Sequence, residues 1–308
     1  AWYRPTRSDA AAGVLQRFPR KALFRDDGSL SVVPDLSAGP SPQSYPVTLR
    51  ARPTSPASPV DPPRPPVLDA SAPGVVNPFL HTGRVTDPAQ FVGRRALLHQ
   101  ILGELDGGSN RALIGPAQIG KSSILSMVCA LGPSRLRLPP SSFVYLNLQL
   151  FSDAGDFWGA LCAEAGLSPC RGAQLERALR GRRLILCLDE IEKLRGDRFP
   201  LDVREQLRGL ADGADAPVRL LIASRTPLFH LFPDAEGHTS PLYNICPQLD
   251  VPPLSPAECR ELLARRVGGG SMPFDDAQVA GLTAQSGGLP ATLLSLASDL
   301  WTRLRAPE

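Results

Sequence analysis

A glycine-rich segment, Gly115-Pro-Ala-Gln-Ile-Gly120-Lys121-Ser122, fits the spacing G-x-x-x-x-G-K-[ST]. Glycines at its two ends let the backbone turn tightly enough for successive N–H groups to point at a phosphate. The lysine can reach β- and γ-phosphate oxygens, and the hydroxyl after it can ligate Mg²⁺. The segment therefore predicts a phosphate-binding loop for a nucleoside triphosphate.

The loop contains one of only three lysines in the chain, and this scarcity of lysine makes a chance match to the spacing rare. The lysine scarcity beside many arginines, together with abundant Ala, Gly and Pro, suggests a GC-rich bacterial genome. We expect the nucleotide to bind at the loop and the residue after it: Gly115, Pro116, Ala117, Gln118, Ile119, Gly120, Lys121, Ser122 and Ser123.

A pair of acidic residues follows an apolar run, Leu184-Ile-Leu-Cys-Leu188, which reads as a buried strand. The run delivers Asp189 and Glu190 to the carboxyl end of that strand, where open parallel sheets bind their ligands. We expect Asp189 to share the Mg²⁺ shell with Ser122, and Glu190 to orient and deprotonate a water that attacks the γ-phosphate. The alternative is a solvated acidic pair that caps the next helix.

An arginine, Arg225, follows the fourth predicted strand. At the end of a strand between the first and third strands, its side chain could touch the γ-phosphate or the attacking water, so we take it as a sensor candidate; the alternative is an arginine that solvates the strand end. Arg204 and Arg208 on the preceding helix could act across a subunit boundary, but such charges usually serve solubility.

Alternating strands and helices from residue 77 onward predict an α/β fold with a central parallel sheet. The predicted strands are 111–114, 143–148, 184–188 and 218–223, and the predicted core helices are 95–105, 121–131, 157–165, 173–180 and 203–211. Three further helices, opening at Ser255-Pro256 and covering 275–285 and 291–305, predict a small helical lid domain.

The composition is that of a globular protein, with 43% apolar and 20% charged residues among 308. A net charge of +3 creates no global field for nucleic acid, although a local basic face stays possible. The six cysteines show no C-x-x-C spacing, which favours reduced core thiols in a cytoplasmic protein over a metal site. No apolar run is long enough to predict a membrane span.

The N-terminal quarter differs from the rest of the chain. We expect a tail over 1–38, a Pro-rich linker over 39–75 without ladder structure, a P-loop core over 76–253 and a small helical lid domain over 254–308. The tail predicts a short helix over 10–18 and a hairpin over 22–33 that turns at Asp27-Gly28. It is either a flexible tail or the end of an upstream module.

Taken together, the motifs resemble ATPases of the AAA+ class and, more narrowly, the STAND branch of signalling ATPases. The likeness covers residues 77 to about 305. Asn77-Pro-Phe79 and Phe91-Val92-Gly-Arg94 look like the entry motif that wraps adenine in the family, and Gly288-Leu-Pro290 looks like the lid motif whose proline packs on adenine. The resemblance therefore implies ATP and Mg²⁺ as ligands, with Phe91, Val92 and Pro290 near the base. A plain helix-to-helix turn is the alternative for the last motif.

The chain also departs from its relatives. Origin-recognition ATPases of the AAA+ class carry an arginine soon after the glycine pair, whereas Pro290-Ala-Thr-Leu-Leu294 offers none. This departure disfavours a motor or loader. The chain ends 18 residues after Pro290, before the further modules that a full-length STAND protein would carry, so we expect either a minimal switch or a piece of a longer protein.

These observations predict an ATP-dependent switch that binds ATP or ADP, turns over slowly, and acts on a protein partner or effector module, with a nucleotide-dependent homo-oligomer possible. Two alternatives stay open. One is a DNA-associated ATPase that loads or remodels a complex, which salt-dependent DNA binding would reveal. The other is a scaffold that holds nucleotide without hydrolysis, against which the intact Asp189-Glu190 pair argues. No membrane partner is expected.

Overall fold

The computed structural model describes two parts of the chain. It gives the backbone elements over residues 2–6, 9–17, 20–24, 30–34 and 43–48, and side chains as well over residues 76–80, 83–233, 241–268 and 270–305. The chain divides into two compact units, Ala1–Pro73 and Gly74–Glu308.

The described residues of the first unit form strands. They are β1 (Trp2–Thr6), β2 (Asp9–Arg17), β3 (Arg20–Phe24), β4 (Leu30–Pro34) and β5 (Gln43–Thr48). Antiparallel pairing joins β1, β2 and β5 in that order, and joins β3 to β4. The predicted hairpin is confirmed, since Phe24 pairs with Leu30, while its turn at Asp27-Gly28 lies outside the described residues.

Two predictions for this unit are wrong. The segment predicted as a helix over 10–18 lies in β2, because ladders to strands on both sides outweigh the helix propensity of its alanines. The predicted linker contains a strand, β5, in which Pro46 lies opposite Val14. Proline is tolerated there because β5 is an edge strand. Residues 49–75 lie outside the described part of the chain.

The second unit is built on a parallel five-stranded sheet. Its strands are β6 (Arg111–Ile114), β7 (Phe143–Asn147), β8 (Leu184–Asp189), β9 (Val218–Ser224) and β10 (Gln248–Asp250). They lie in the order β10-β6-β9-β8-β7, and every pair is parallel. The four predicted strands are confirmed, and β9 lies between β6 and β8 as expected. The sequence did not reveal β10, because it is a three-residue edge strand with little burial.

Helices surround this sheet and form the lid. They are α1 (Arg95–Asp106), α2 (Lys121–Leu136), α3 (Ala154–Glu164), α4 (Ala173–Leu179), α5 (Leu201–Ala211), α6 (Leu228–Leu231), α7 (Pro256–Arg266), α8 (Asp276–Ser286) and α9 (Pro290–Arg305). The helix after the loop runs beyond its predicted end at 131, because Gly132 accommodates the Phe143 ring and Pro133 costs α2 only one hydrogen bond.

Both faces of the sheet are buried. Alternate residues of β8 face opposite sides: Leu186 packs with α3, α4 and α5, while Cys187 packs with α1 and α2. Such two-sided burial explains why the strands read as continuous apolar runs. The result is an α/β fold of the P-loop NTPase type, with helices on both faces of a central parallel sheet.

The lid has its own core, formed by α7, α8 and α9 around Phe79, Phe274 and Trp301. Its helices begin at well-formed caps. Ser255 and Glu258 form a capping box at α7, and Asp275 and Gln278 form another at α8. These caps fix where the lid helices begin relative to the sheet.

Candidate nucleotide-binding site

The glycine-rich segment connects β6 to α2 as a tight loop. Gly120 has φ of 101°, and a Cβ there would lie 2.6 Å from Nη1 of Arg94. A Cβ on Gly115 would lie 3.1 Å from a methyl carbon of Ile119. Both glycines of the motif are therefore required by backbone conformation or by space. Gln118 also has a positive φ, of 65°, which adds to the tight turn.

Lys121 is the first residue of α2 and its side chain bends over the loop. Its ammonium donates hydrogen bonds to the carbonyl oxygens of Gly115 at 2.6 Å and Pro116 at 2.9 Å. Burial lowers the pKa of Lys121, and the nearby carboxylates of Glu190 and Glu192 oppose this shift. The Lys121 ammonium thus lies over the loop and close to two carboxylates, a position from which it could bind the phosphates of a triphosphate.

Ser122 and Asp189 supply oxygen ligands of the kind that Mg²⁺ prefers. Ser122 lies in the first turn of α2 and lines the cleft described below. Asp189 ends β8 and is buried, and its carboxylate accepts hydrogen bonds from the Tyr145 hydroxyl at 2.6 Å and from the Glu190 N–H at 3.1 Å. Bonds of this kind hold a metal-ligating carboxylate in one orientation. Both side chains are donors of the right kind for Mg²⁺, and their joint ligation of the ion stays a prediction, since Asp189 is not among the residues that line the cleft.

Glu190 and Arg225 form an ion pair at the end of the sheet. Nη2 of Arg225 lies 3.1 Å from each carboxylate oxygen of Glu190. Glu190 has φ of 55°, a left-handed conformation that is uncommon for a residue with a side chain. Glu192 holds the backbone of Arg225 in place, because its carboxylate accepts hydrogen bonds from the Arg225 N–H and from the Ser224 hydroxyl.

A cleft of about 390 Å³ lies between the sheet and the lid. The core contributes the loop after its first two residues, except the buried Ile119, together with Glu190 and Arg225, and the lid contributes residues of α7 and α9. The lining residues are Gly83, Arg84, Val85, Ala117, Gln118, Gly120, Lys121, Ser122, Ser123, Glu190, Arg225, Leu262, Arg266, Pro290, Ala291 and Leu294. One cleft therefore joins the predicted phosphate site to the lid, and its lid side is largely apolar.

The predicted entry motif occupies a different place from the cleft lining. Phe91 packs against the α1 and α2 side of the core, and Val92 lies in the lid core beside Phe79. Asn77 donates to the hydroxyl of Ser298 on α9 at 2.9 Å. The segment Gly83–Val85 lines the cleft instead, and the N–H of Val85 donates to the Ser123 hydroxyl at 3.0 Å. Contact of Phe91 and Val92 with a base stays a prediction.

Pro290 lies on the cleft wall, and its contact with adenine stays a prediction. Gly287 ends α8 in the left-handed conformation, and Gly288 has φ of 74° with its space filled by the Leu254 carbonyl. The Leu254 N–H donates to the Gly288 carbonyl at 2.9 Å. The segment is thus both a helix-to-helix turn and a wall of the cleft, so the two interpretations of the motif are compatible.

Sequence reasoning missed several residues of the site. Tyr145 and Arg84 stack, with the guanidinium carbon 3.9 Å from the ring centroid, and Tyr145 in turn binds Asp189. Leu262 and Arg266 come to the cleft from α7. Among the missed residues only Glu192 could have been found from the sequence, because it lies two residues after the Asp189-Glu190 pair. The others reach the site through tertiary packing, which no local sequence pattern predicts.

The two arginines of α5 are engaged locally. Arg204 lies over the Phe232 ring at 4.5 Å, and Arg208 bonds the Pro241 carbonyl and pairs with Asp212. The sensor role of Arg225, and any role of these two arginines across a subunit boundary, stay predictions.

Comparisons with known proteins agree with this class of fold. Residues 104–232 match the family model described as AAA domain. The Walker-type ATPase PABY2304 of Pyrococcus abyssi has 16% identity and a TM-score of 0.58, over 73% of this chain and 71% of that one. The ORC2 protein of Aeropyrum pernix, solved as ADPNP-ADP complexes, has 14% identity and a TM-score of 0.50, over 72% of this chain and 64% of that one. Comparison with the curated proteins gives no match.

At these identities the solved structures establish the fold alone. Residues 104–232 therefore resemble an AAA domain, and the loop within them has the geometry of a P-loop NTPase fold. Among the described residues, no helix is long and apolar enough to cross a membrane. Within the same residues, no group of three or more His, Cys, Asp or Glu side chains could hold a metal. Mg²⁺ at such loops needs only one or two protein ligands besides the phosphates.

Proposed function

We propose that this protein is an ATP-dependent molecular switch of the AAA+ class, STAND-like in its use of the lid, with slow hydrolysis. The observation that carries the proposal is the cleft, because the loop residue Lys121 and the lid residue Pro290 line the same space. A nucleotide that contacts both would bias the position of the lid, since a ligand shifts an equilibrium by its differential affinity for the two states.

The core residues of the candidate site each have a role in this proposal. The loop and Lys121 bind the β- and γ-phosphates, and Ser122 and Asp189 hold Mg²⁺, which supplies neutralisation of phosphate charge when bound. Glu190 orients and deprotonates the attacking water. Arg225 pairs with Glu190 at 3.1 Å. A γ-phosphate competes for this guanidinium, and its capture by the phosphate frees the Glu190 carboxylate to act as base.

ATP turnover by purified protein, beside Glu190→Gln, tests this function. Light scattering of both proteins with and without nucleotide gives the mass. We expect slow hydrolysis that the variant loses, and an ATP-dependent change in mass or in lid protection from proteolysis. Tight ATP binding without hydrolysis or any such change would favour the scaffold hypothesis instead. Absence of ATP binding by the wild type would overturn both.

A DNA-associated role is the second candidate, and one surface favours it. Arg137, Arg180 and Arg182 are exposed and come before the amino ends of the neighbouring strands β7 and β8, whereas the cleft lies at the carboxyl ends. Double-stranded DNA offers a matching row of phosphates. Fluorescence anisotropy with duplex DNA over a range of salt tests it. Binding that weakens steeply with salt, and less steeply in Arg180→Ala/Arg182→Ala, would support this role.

A further inference from the structure

The cleft carries more positive than negative charge. Four cationic side chains line it, those of Arg84, Lys121, Arg225 and Arg266, while Glu190 is the acidic residue of the lining. Glu190 is already paired with Arg225. The remaining cations therefore have a strong preference for an anion of several charges, and a phosphate chain fits that description.

Arg266 is the cation that the lid contributes. It lies at the end of α7, one helical turn after Leu262, which lines the same cleft. Burial lowers the pKa of Arg266, and no neighbouring carboxylate opposes the shift. Among the described residues no carboxylate forms an ion pair with this half-buried guanidinium, and such a position is costly for a charge unless an anion binds there.

Two neighbours on α7 show what the arginines of this helix do elsewhere. Arg260 pairs with Asp276 at 2.8 Å on the lid surface. Arg265 pairs with Glu261 at 2.6 Å and donates to the carbonyl of Ala89 at 2.9 Å, so it ties the lid to the entry segment. A basic residue in the last turn also stabilises the helix dipole. Arg265 already stabilises the dipole of α7 in this way. Helix stabilisation therefore does not explain why Arg266 lines the cleft.

We propose that Arg266 binds the phosphate chain of the nucleotide from the lid side. This inference rests on the proposed function, and it adds to it a specific contact that the sequence motifs did not indicate. The residues just after Pro290, Ala-Thr-Leu-Leu294, include no cation. Arg266 supplies a lid cation from a different helix. Because Lys121 belongs to the core and Arg266 to the lid, a phosphate chain held by both favours the closed lid.

Calorimetric titration with MgATP, MgADP and adenosine tests the contact in four proteins. They are the wild type, Arg266→Ala, Arg266→Lys and the matched control Arg260→Ala on the same helix. Loss of a charge-assisted hydrogen bond should weaken ATP and ADP binding by about tenfold or more in Arg266→Ala. Adenosine binding should stay within about twofold of wild type. Arg266→Lys should recover part of the loss, since it keeps the charge but not the planar fork.

The outcomes separate the contact from the function on which it rests. Wild type that binds no ATP overturns both. Wild type that binds ATP, with equal affinity in Arg266→Ala, overturns the contact and leaves the function standing. An equal loss for adenosine and ATP shows that Arg266 contacts the base, which also overturns the contact as proposed. If the melting temperature of Arg266→Ala lies well below that of Arg260→Ala, the Arg266→Lys variant is compared with wild type instead. An ATP affinity and a salt dependence of binding that are unchanged in Arg266→Lys would contradict bidentate phosphate binding by Arg266.

Discussion

Arg225 and Glu190 meet through both carboxylate oxygens, each 3.1 Å from the same guanidinium nitrogen. The base candidate and the sensor candidate thus neutralise each other in this structure. Glu192 fixes the backbone of the arginine, so the side chain can change partner while its main chain stays in place. A γ-phosphate competing for Arg225 would couple nucleotide recognition to release of the base.

We expect Glu190→Gln to bind ATP as well as wild type and to lose hydrolysis by about 10²- to 10⁴-fold, because an amide cannot accept the proton of the water. Single-turnover hydrolysis and a binding titration on the same sample measure the two effects. Glu176→Gln is the control, since Glu176 is exposed on α4. Hydrolysis at the wild-type rate in Glu190→Gln would remove Glu190 from its role.

Arg225→Ala should reduce hydrolysis while leaving ADP affinity nearly unchanged, because the proposed partner of this side chain is the γ-phosphate. The ATP affinity of this variant should fall by about tenfold, which is the typical effect of removing one charge-assisted hydrogen bond. Titrations with ADP and a non-hydrolysable ATP analogue measure the difference. An equal loss for both nucleotides would place Arg225 on another part of the ligand.

Lys121→Ala should abolish detectable binding of ATP and ADP, because the ammonium is the loop's own counter-charge for the phosphates. Its hydrogen bonds to the Gly115 and Pro116 carbonyls also order the loop, so thermal unfolding must be measured beside binding. Lys193→Ala, in the short helix after β8, is the matched control because that lysine lies outside the cleft lining. ATP affinity within about twofold of wild type in Lys121→Ala would contradict the site.

Tyr145→Phe should raise the Mg²⁺ concentration needed for half-maximal nucleotide binding by about 10- to 100-fold, the usual effect of removing a partner of a metal ligand. The hydroxyl holds the Asp189 carboxylate at 2.6 Å, whereas the ring itself stays to stack with Arg84. Mn²⁺ binding followed by electron paramagnetic resonance gives a readout independent of turnover. An unchanged metal requirement would mean that Asp189 keeps its orientation without Tyr145.

The sequence predicts the parts of the fold that have strong local signals. Strand β8 and the loop before α2 are readable because a continuous apolar run and a fixed glycine spacing leave few alternatives. Strand β2 could not be predicted, because its run Ala10-Ala-Ala12 favours a helix. Its pairing with β1 and β5 in the sheet makes it a strand instead.

The candidate site divides in the same way. Lys121 and Asp189 belong to motifs that are contiguous in the chain. Tyr145 and Arg266 come to the site from a neighbouring strand and from the lid, so their role depends on a register and on a helix orientation that no local pattern encodes. Reading the site beyond its motifs requires the packed structure.

The junction of core and lid should weaken in acid through Glu258. One oxygen of this carboxylate accepts the Arg94 backbone N–H at 2.7 Å, and the other accepts the Ser255 N–H at 2.8 Å. Burial alone would raise the pKa of Glu258, but the hydrogen bonds from Ser255 and Arg94 outweigh it, and the pKa is lowered from 4.5. A carboxyl whose pKa is lower in the folded state stabilises that state above its unfolded pKa, and this contribution is lost as the pH falls through the folded value.

The free energy of unfolding should therefore fall less between about pH 5 and pH 3 in Glu258→Gln than in the wild type. Glutamine keeps an acceptor oxygen for the cap but does not titrate, so the variant should be less stable near pH 7, by about 1 kcal/mol for the weakened cap and tether. Urea unfolding at a series of pH values measures both effects, with Glu176→Gln as the control for a solvated carboxyl. Parallel pH profiles for wild type and Glu258→Gln would show that this carboxylate does not link the stability of the lid junction to its charge.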